Sequence, residues 1–456
     1  MNANWYLTAP WEPVAVRRGD PLGFRPGADY FADLIAPGLS NGTSDARWIS
    51  LLSWSLKWSH VVWQRAGGGD LTQRDAQRAR YAWLRPLELQ WVDRTLESGQ
   101  TTGQLRGRRS IERWRRADRK PSTFAMNADQ FRRYRQVGTY GAYRVVFRTV
   151  AGLTTGDGWT PGTIALQLAD VVNQKLSSEV RLREEHFENG TRWGSWRNQE
   201  ARFWIERGWA AWLIKANRGL LPTSDEAAAE PLSSEERCLL SPALFGAGSV
   251  RRLTAEVLAK AGTARSHAEL CDALATSTAL AIKLESASLT LLPAFTRLAD
   301  AAMHAMRVLW SAINQDHETQ TPTIKKLTRA TEVPESFSQL QMACTTWLAM
   351  PNRHHFPHNQ AVTHLADGMR RATSLTQQIQ ALAKHHHDHG GGRRWFRVQA
   401  DMLIPLVEDT GIAASDYRFR LRTICLLAAQ CGVANMATAL NALTQYDING
   451  DDGDVL

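Results

Sequence analysis

AVTHLADGMRRATSLTQQIQALAKHHHDHGGG, residues 361–392, decides how this chain reads. Val362, Leu365, Met369, Ala372, Leu375, Ile379 and Leu382 recur at spacings of three or four. That period places them in one stripe of an α-helix. The spacing predicts a single long amphipathic helix over Ala361–His387, ended by Gly390-Gly391-Gly392. Outward from it, Val250–Ala261, His267–Asn314 (interrupted at Pro293), Phe337–Met350, Tyr417–Cys431 and Ala434–Leu443 also carry helical patterns. Trp395–Leu406 is the exception and reads as a short β-hairpin. The region 237–446 is therefore expected to be a helical bundle with a small β element, followed by an acidic tail over 447–456.

The half before this bundle is built from different material. Fifteen of the eighteen Trp precede residue 213, so the two halves are expected to build their cores from different residues. Its predicted helices are Ala28–Ala36, Ser44–Arg65, Thr72–Glu97 (kinked or restarted at Pro86), one from Asn127 or Asp129 through Arg135, one opening at Thr160-Pro161, and Trp204–Asn217. Tyr143–Ala151 fits helix or strand. Leu221–Glu236, acidic and rich in Ala and Ser with two prolines, reads as an exposed linker. The fold class is mainly α: a Trp/Arg-rich helical region over 1–220, the linker 221–236, and the bundle.

Charge is concentrated in one window. Residues 101–150 hold thirteen Lys or Arg against three Asp or Glu, whereas the whole chain has a net charge of +9. Twelve of the thirteen are Arg, interleaved with Trp114, Phe131, Tyr134, Tyr140 and Tyr143. Arginine offers a planar, bidentate donor to phosphate, and exposed aromatics beside it stack on bases. The candidate nucleic-acid-binding residues are Arg106, Arg108, Arg109, Arg113, Arg115, Arg116, Arg132, Arg133, Tyr134, Arg135, Arg144 and Arg148. Arg109, Arg113 and Arg116 share one helix face. An acidic protein partner, or a merely solvated face, would use the same pattern.

Eight of thirteen histidines lie between His354 and His389. His385 and His389 are four apart, which on a helix points both imidazoles the same way, so they are the candidate metal ligands, with Asp367 or Asp388 as a further carboxylate. A divalent metal is the one cofactor this cluster suggests. Against it, imidazoles at a helix C-terminus also complement the helix dipole. Gly38-Leu39-Ser40-Asn41-Gly42 matches GxSxG but lacks the strand and the immediate helix that a nucleophile elbow needs. No P-loop and no HExxH occurs. Five widely spaced cysteines without CxxC suit buried thiols in a reducing compartment. No secretory signal and no run of about 20 apolar residues is present, so the expected location is the cytoplasm, with no membrane partner.

Three sets of strings, DPLGFRPGADYFADLIAPGLSNGTSDARWISLLSW (Asp20–Trp54), RYAWLRPLELQWVDR (Arg80–Arg94) with YRQVGTYGAYR (Tyr134–Arg144), and HGGGRRWF (His389–Phe396), resemble an uncharacterised bacterial family found among restriction and phage-defence genes. The resemblance covers about the first third of the chain and a short later segment. It implies a bacterial defence setting alongside other subunits and carries over no active site. Together these readings favour a non-enzymatic component that binds nucleic acid, or a nucleic-acid-bound partner, through the basic window. The alternatives are a metal-dependent hydrolase or nuclease using the His354–His389 cluster, and a structural subunit of a multi-protein complex.

Overall fold

The computed structural model describes residues 20–65, 70–71, 73–97, 105–117, 134, 138–155, 157–176, 181, 232–284, 287–317, 323–390, 394–406, 417 and 419–444. In chain order the elements are α1 (Arg25–Ile35), α2 (Arg47–Arg65), α3 (Arg74–Glu97), α4 (Arg108–Arg116), α5 (Thr139–Thr149), α6 (Thr163–Lys175), α7 (Ser234–Leu244), α8 (Val250–Lys260) and α9 (His267–Ala275). They continue with α10 (Thr278–Leu284), α11 (Leu292–His317), α12 (Ile324–Leu327), α13 (Val333–Ala349), α14 (Asn359–Arg371), α15 (Leu375–His389), the strands β1 (Phe396–Gln399) and β2 (Met402–Pro405), α16 (Leu421–Gln430) and α17 (Ala437–Thr444). The fold is mainly α. Its one sheet among the described residues is the antiparallel β1–β2 hairpin, in which Gln399 pairs with Met402 across an Ala400-Asp401 turn.

The chain forms two compact units, and neither is one continuous segment. The first takes residues up to Leu34, Ala264–Phe419 and the chain from Ala442; the second takes Ile35–Thr263 and Arg420–Asn441. This grouping differs from a division at 221–236. Leu221–Pro231 lies outside the described residues, but Leu232–Glu236 is no exposed connection. Ser233 caps α7, accepting from the Glu236 N–H, and the Glu236 carboxylate reaches back in a capping box. Glu236 is wholly buried and pairs with Arg47 at 2.5 Å and Lys175 at 3.0 Å. Burial by itself would raise the Glu236 pKa; the Arg47 charge and hydrogen bonds from Ser50, Lys175 and Ser233 outweigh it and hold the pKa low. The late helix α16 joins the same unit because the Gln430 side chain accepts from the Ala46 N–H at 2.6 Å and donates to Asp45 at 3.1 Å.

The second unit is aromatic inside. Trp54 meets Trp91 edge-on with centroids 5.5 Å apart, and Tyr140 packs on Trp159 at 5.0 Å. α3 runs unbroken through Pro86. Helix α6 begins at Thr163 after a Gly162 cap, later than the Thr160-Pro161 signal suggests, because Pro161 pairs with Thr154 instead. Two buried charged residues of this core have specific partners. Arg80, fully buried, donates to Ser59 Oγ at 2.9 Å and to the Leu56 carbonyl at 3.0 Å. Glu88, also fully buried, accepts from the Tyr134 hydroxyl at 2.9 Å and from the Tyr81 hydroxyl at 3.3 Å.

The first unit is held by a ring cluster. Phe31 of α1 stacks on Phe356 at 5.0 Å and lies 5.2 Å from Phe295 of α11, while Trp347 of α13 meets Phe295 at 6.3 Å. Helix α11 begins at Leu292-Pro293, so Pro293 starts a helix, and the stretch before it divides into α9, α10 and a short 3-10 turn. The predicted long helix over 361–387 is two helices. Ala372 leaves helical geometry (ψ 120°) and Ser374 is extended, accepting from the Gln377 N–H as the N-cap of α15. The apolar stripe is continuous in sequence but folds back on itself, so α14 packs against α15. Cys271, Cys344, Cys425 and Cys431 are buried free thiols and Cys238 is exposed. Among the described residues no helix is long and apolar enough to cross a membrane.

Burial pushes the Glu88 carboxyl up to about 7. Between the unfolded value of 4.5 and about 7, the folded chain binds the extra proton, so stability falls as pH rises through that window. Glu88→Gln has no such slope. Urea denaturation at pH 5 and pH 8 should show the parent losing up to about 3 kcal/mol relative to the variant. A difference that does not change with pH would mean that Glu88 stays ionised in the fold.

Candidate functional site: a histidine cluster and a basic helix

Folding α14 back along α15 brings His364 to His385 and His389. His364 Nδ1 lies 3.2 Å from His385 Nδ1. The rings of His385 and His389, one turn apart on α15, have centroids 4.7 Å apart and lie 24° from parallel; His364 and His389 are 4.6 Å apart. One ring nitrogen from each of the three falls within 4.8 Å of the others. His364 is exposed, His389 half-buried and His385 buried.

The chain around residue 20 sets the chemistry of these rings. Asp20 caps α1, accepting from the Phe24 and Arg25 N–H groups at 2.9 Å each, and takes a hydrogen bond from the Tyr417 hydroxyl at 2.6 Å. The same Tyr417 oxygen accepts from the Leu22 N–H at 3.2 Å. Held in this way, the Leu22 carbonyl accepts from His385 Nε2 at 2.8 Å and the Pro21 carbonyl from His386 Nδ1 at 2.8 Å. The proton of His385 is therefore on Nε2, which leaves Nδ1 with a bare lone pair facing His364. Burial lowers the His385 pKa to about 3, against the opposing pull of the Leu22 carbonyl. Burial likewise lowers that of His389, reinforced by His364.

Two glycines permit this close approach. A Cβ at Gly23, where φ is +69°, would stand 2.7 Å from the His389 carbonyl oxygen; one at Gly390 would stand 2.4 Å from that of His386. These positions belong to DPLGF and HGGGRRWF, so two strings far apart in sequence meet here.

The other histidines separate from this group. His386 uses both nitrogens internally, since its Nε2 accepts from the Trp395 N–H at 3.0 Å. His354 and His355 face each other at 4.0 Å in an exposed turn, and His387 is exposed. Asp367 pairs with Arg370 at 2.8 Å, and neither it nor Asp388 joins the ligand group found among the described residues. Thus His385 and His389 stand together as the helical spacing requires. Reading 361–387 as one helix hid His364, which that geometry puts about 30 Å from His385 (21 residues at ~1.5 Å each). The Ser374 cap signal, three residues ahead of Gln377, is the local mark of the break.

The basic residues are arranged by α4. Ile111 and Trp114 are buried, and Arg109, Arg113 and Arg116 lie on the exposed side, with exposed Arg106 just before the helix. Arg108 pairs with Glu112 at 2.6 Å, and Arg115 bonds both the Asp93 carboxylate and its carbonyl, each at 2.6 Å. On α5, Arg144 lies over Trp159 at 5.3 Å and reaches Gln77 at 3.3 Å, while Arg148 is exposed. Arg132, Arg133 and Arg135 lie outside the described residues. The aromatic half of the expectation needs correction. Tyr134, Trp114, Tyr140 and Tyr143 are buried at 4% exposure or less. Tyr134 donates to Glu88, and the Tyr143 hydroxyl donates to the Asp45 carbonyl at 2.7 Å. These rings are core, with no face open to a base. Ser40 sits in a turn and its hydroxyl donates to the Ala142 carbonyl at 2.8 Å, so it is no nucleophile elbow.

No family model, curated protein or solved structure matches the chain.

His386 and His387 are neighbours with opposite roles. His386→Ala orphans the Pro21 carbonyl and the Trp395 N–H and should cost about 2–4 kcal/mol in chemical denaturation. His387→Ala should change stability by less than about 0.5 kcal/mol. Equal effects would contradict the assigned hydrogen bonds.

Proposed function

We propose that this chain is a nucleic-acid-binding component that contacts the phosphate backbone through the exposed arginines of α4. The observation that carries this is the division of labour on one short helix. Ile111 and Trp114 fix its inner side, Arg108 and Arg115 are engaged with acids, and Arg106, Arg109, Arg113 and Arg116 lie on the solvent side. Guanidinium groups held on an anchored scaffold form charge-assisted, bidentate bonds to phosphate oxygens. Among the described residues the neighbouring aromatics Trp114, Tyr134, Tyr140 and Tyr143 are buried and offer no ring to a base; Phe131 lies outside the described residues. The binding is therefore insensitive to sequence and driven by counterion release.

This basic face supplies no reacting group. Taken with the resemblance of its strings to bacterial defence-associated proteins, the chain is read as a non-enzymatic subunit of a multi-protein antiviral system, with α4 as its contact to nucleic acid.

Arg109→Glu, Arg113→Glu and Arg116→Glu combined should weaken binding to duplex DNA and flatten the slope of log K against log salt by about 2–3. Unrelated duplex sequences should bind alike. Fluorescence anisotropy across a salt series reads both. Unchanged binding at every salt concentration sinks the proposal, and loss of binding to an acidic protein with DNA binding intact would assign the face to a protein partner.

A further inference from the structure

The three-histidine cluster of the first unit carries a second proposal, independent of α4. We propose that His364, His385 and His389 form a binding site for one divalent transition-metal ion of the zinc, cobalt or nickel type, with one coordination position open to solvent. Three observations converge. First, the donors come from two helices that pack on each other, α14 and α15, each with a buried apolar side: Val362, Leu365 and Met369 on one, Ile379 and Leu382 on the other. Second, the His364 and His385 Nδ1 atoms stand 3.2 Å apart. Two ligands at about 2.0–2.1 Å on a tetrahedral ion are about 3.3–3.4 Å apart, so this pair already has the edge length of a metal polyhedron. The third nitrogen lies within 4.8 Å of both, on the half-buried His389 at the helix end. Third, His385 donates its other ring N–H to a backbone carbonyl, Leu22 at 2.8 Å. Metal-ligating histidines are oriented in this way by their surroundings, and the bond leaves Nδ1 as the free donor.

The donor set selects the ion. Three neutral imidazoles without a carboxylate suit zinc, cobalt, nickel or copper and offer nothing to magnesium or calcium, which prefer oxygen. A fourth protein ligand is absent among the described residues, since Asp367 is engaged with Arg370. The exposure of His364 places the remaining position on the solvent side, where a water molecule completes the shell. An ion there would tie α14 to α15 directly, and to the Asp20–Leu22 segment through His385.

The competing description is a plain His364–His385 hydrogen bond with no ion. Untagged, chelator-washed full-length protein titrated with Co2+ separates the two. The expected result is one equivalent bound, with visible d–d absorption of a four-coordinate site, and a raised melting temperature on adding Zn2+. His364→Ala and His389→Ala remove exposed or half-exposed rings and leave the His385–Leu22 bond in place. Each should fold as judged by circular dichroism and lower affinity by more than about 100-fold. His354→Ala and His387→Ala should bind as the parent does. The proposal is overturned if no stoichiometric ion binds, or if uptake survives in His364→Ala and His389→Ala but falls in His387→Ala, which would mark an adventitious histidine tract. Because α4 is untouched by these variants, DNA binding in the same preparations reports separately on the phosphate-binding reading.

Discussion

Two imidazoles cannot be buried side by side unless their ring N–H groups find acceptors, and His385 and His386 find them on the carbonyls of Leu22 and Pro21. An unmet polar group in such a place costs about 1–3 kcal/mol, so these two bonds fix which segment lies against the end of α15. The Asp20–Tyr417 pair holds that segment, Asp20 at the same time starts α1, and α1 brings Phe31 into the ring cluster with Phe295 and Phe356. Residues separated by more than 360 positions are thereby made neighbours. The arrangement also sets the His385 tautomer, which turns a core histidine into one with a lone pair aimed at His364.

The second unit solves the problem of buried charge differently. Arg47, Lys175 and Glu236 form a compact ionic group beneath a helix cap, and Arg80 sets its two terminal guanidinium nitrogens on a hydroxyl and a carbonyl. Three arginines of the window have partners within the fold: Arg108 and Arg115 pair with acids, and Arg144 lies on Trp159. Among the described residues, Arg106, Arg109, Arg113, Arg116 and Arg148 lie at the surface.

How much of this was legible differs from element to element. The helices α1, α2, α8 and α13, the apolar stripe of α14, the β1–β2 hairpin and four of the five cysteines as buried thiols could be read locally, because burial imposes a period on neighbouring residues; Cys238 is exposed. The break at Ala372–Ser374 was not, since the apolar spacing passes through it without a missed step and only a capping serine marks it. The aromatic residues of the basic window were equally ambiguous. A tyrosine between arginines has the same spacing whether its ring faces solvent or, like Tyr134, a buried glutamate.

The sequence by itself determined the helical class, the place of the β1–β2 hairpin, the concentration of arginine on α4 and the i, i+4 pairing of His385 with His389. These follow from composition and from contacts within a few residues. Only the tertiary structure decided that the two units interleave along the chain, that Glu236 is core, that the tyrosines of the window are inside, and that His364 completes a triad. Each of these depends on which distant groups satisfy a buried polar atom. That is a property of the folded contact set, and no local pattern encodes it.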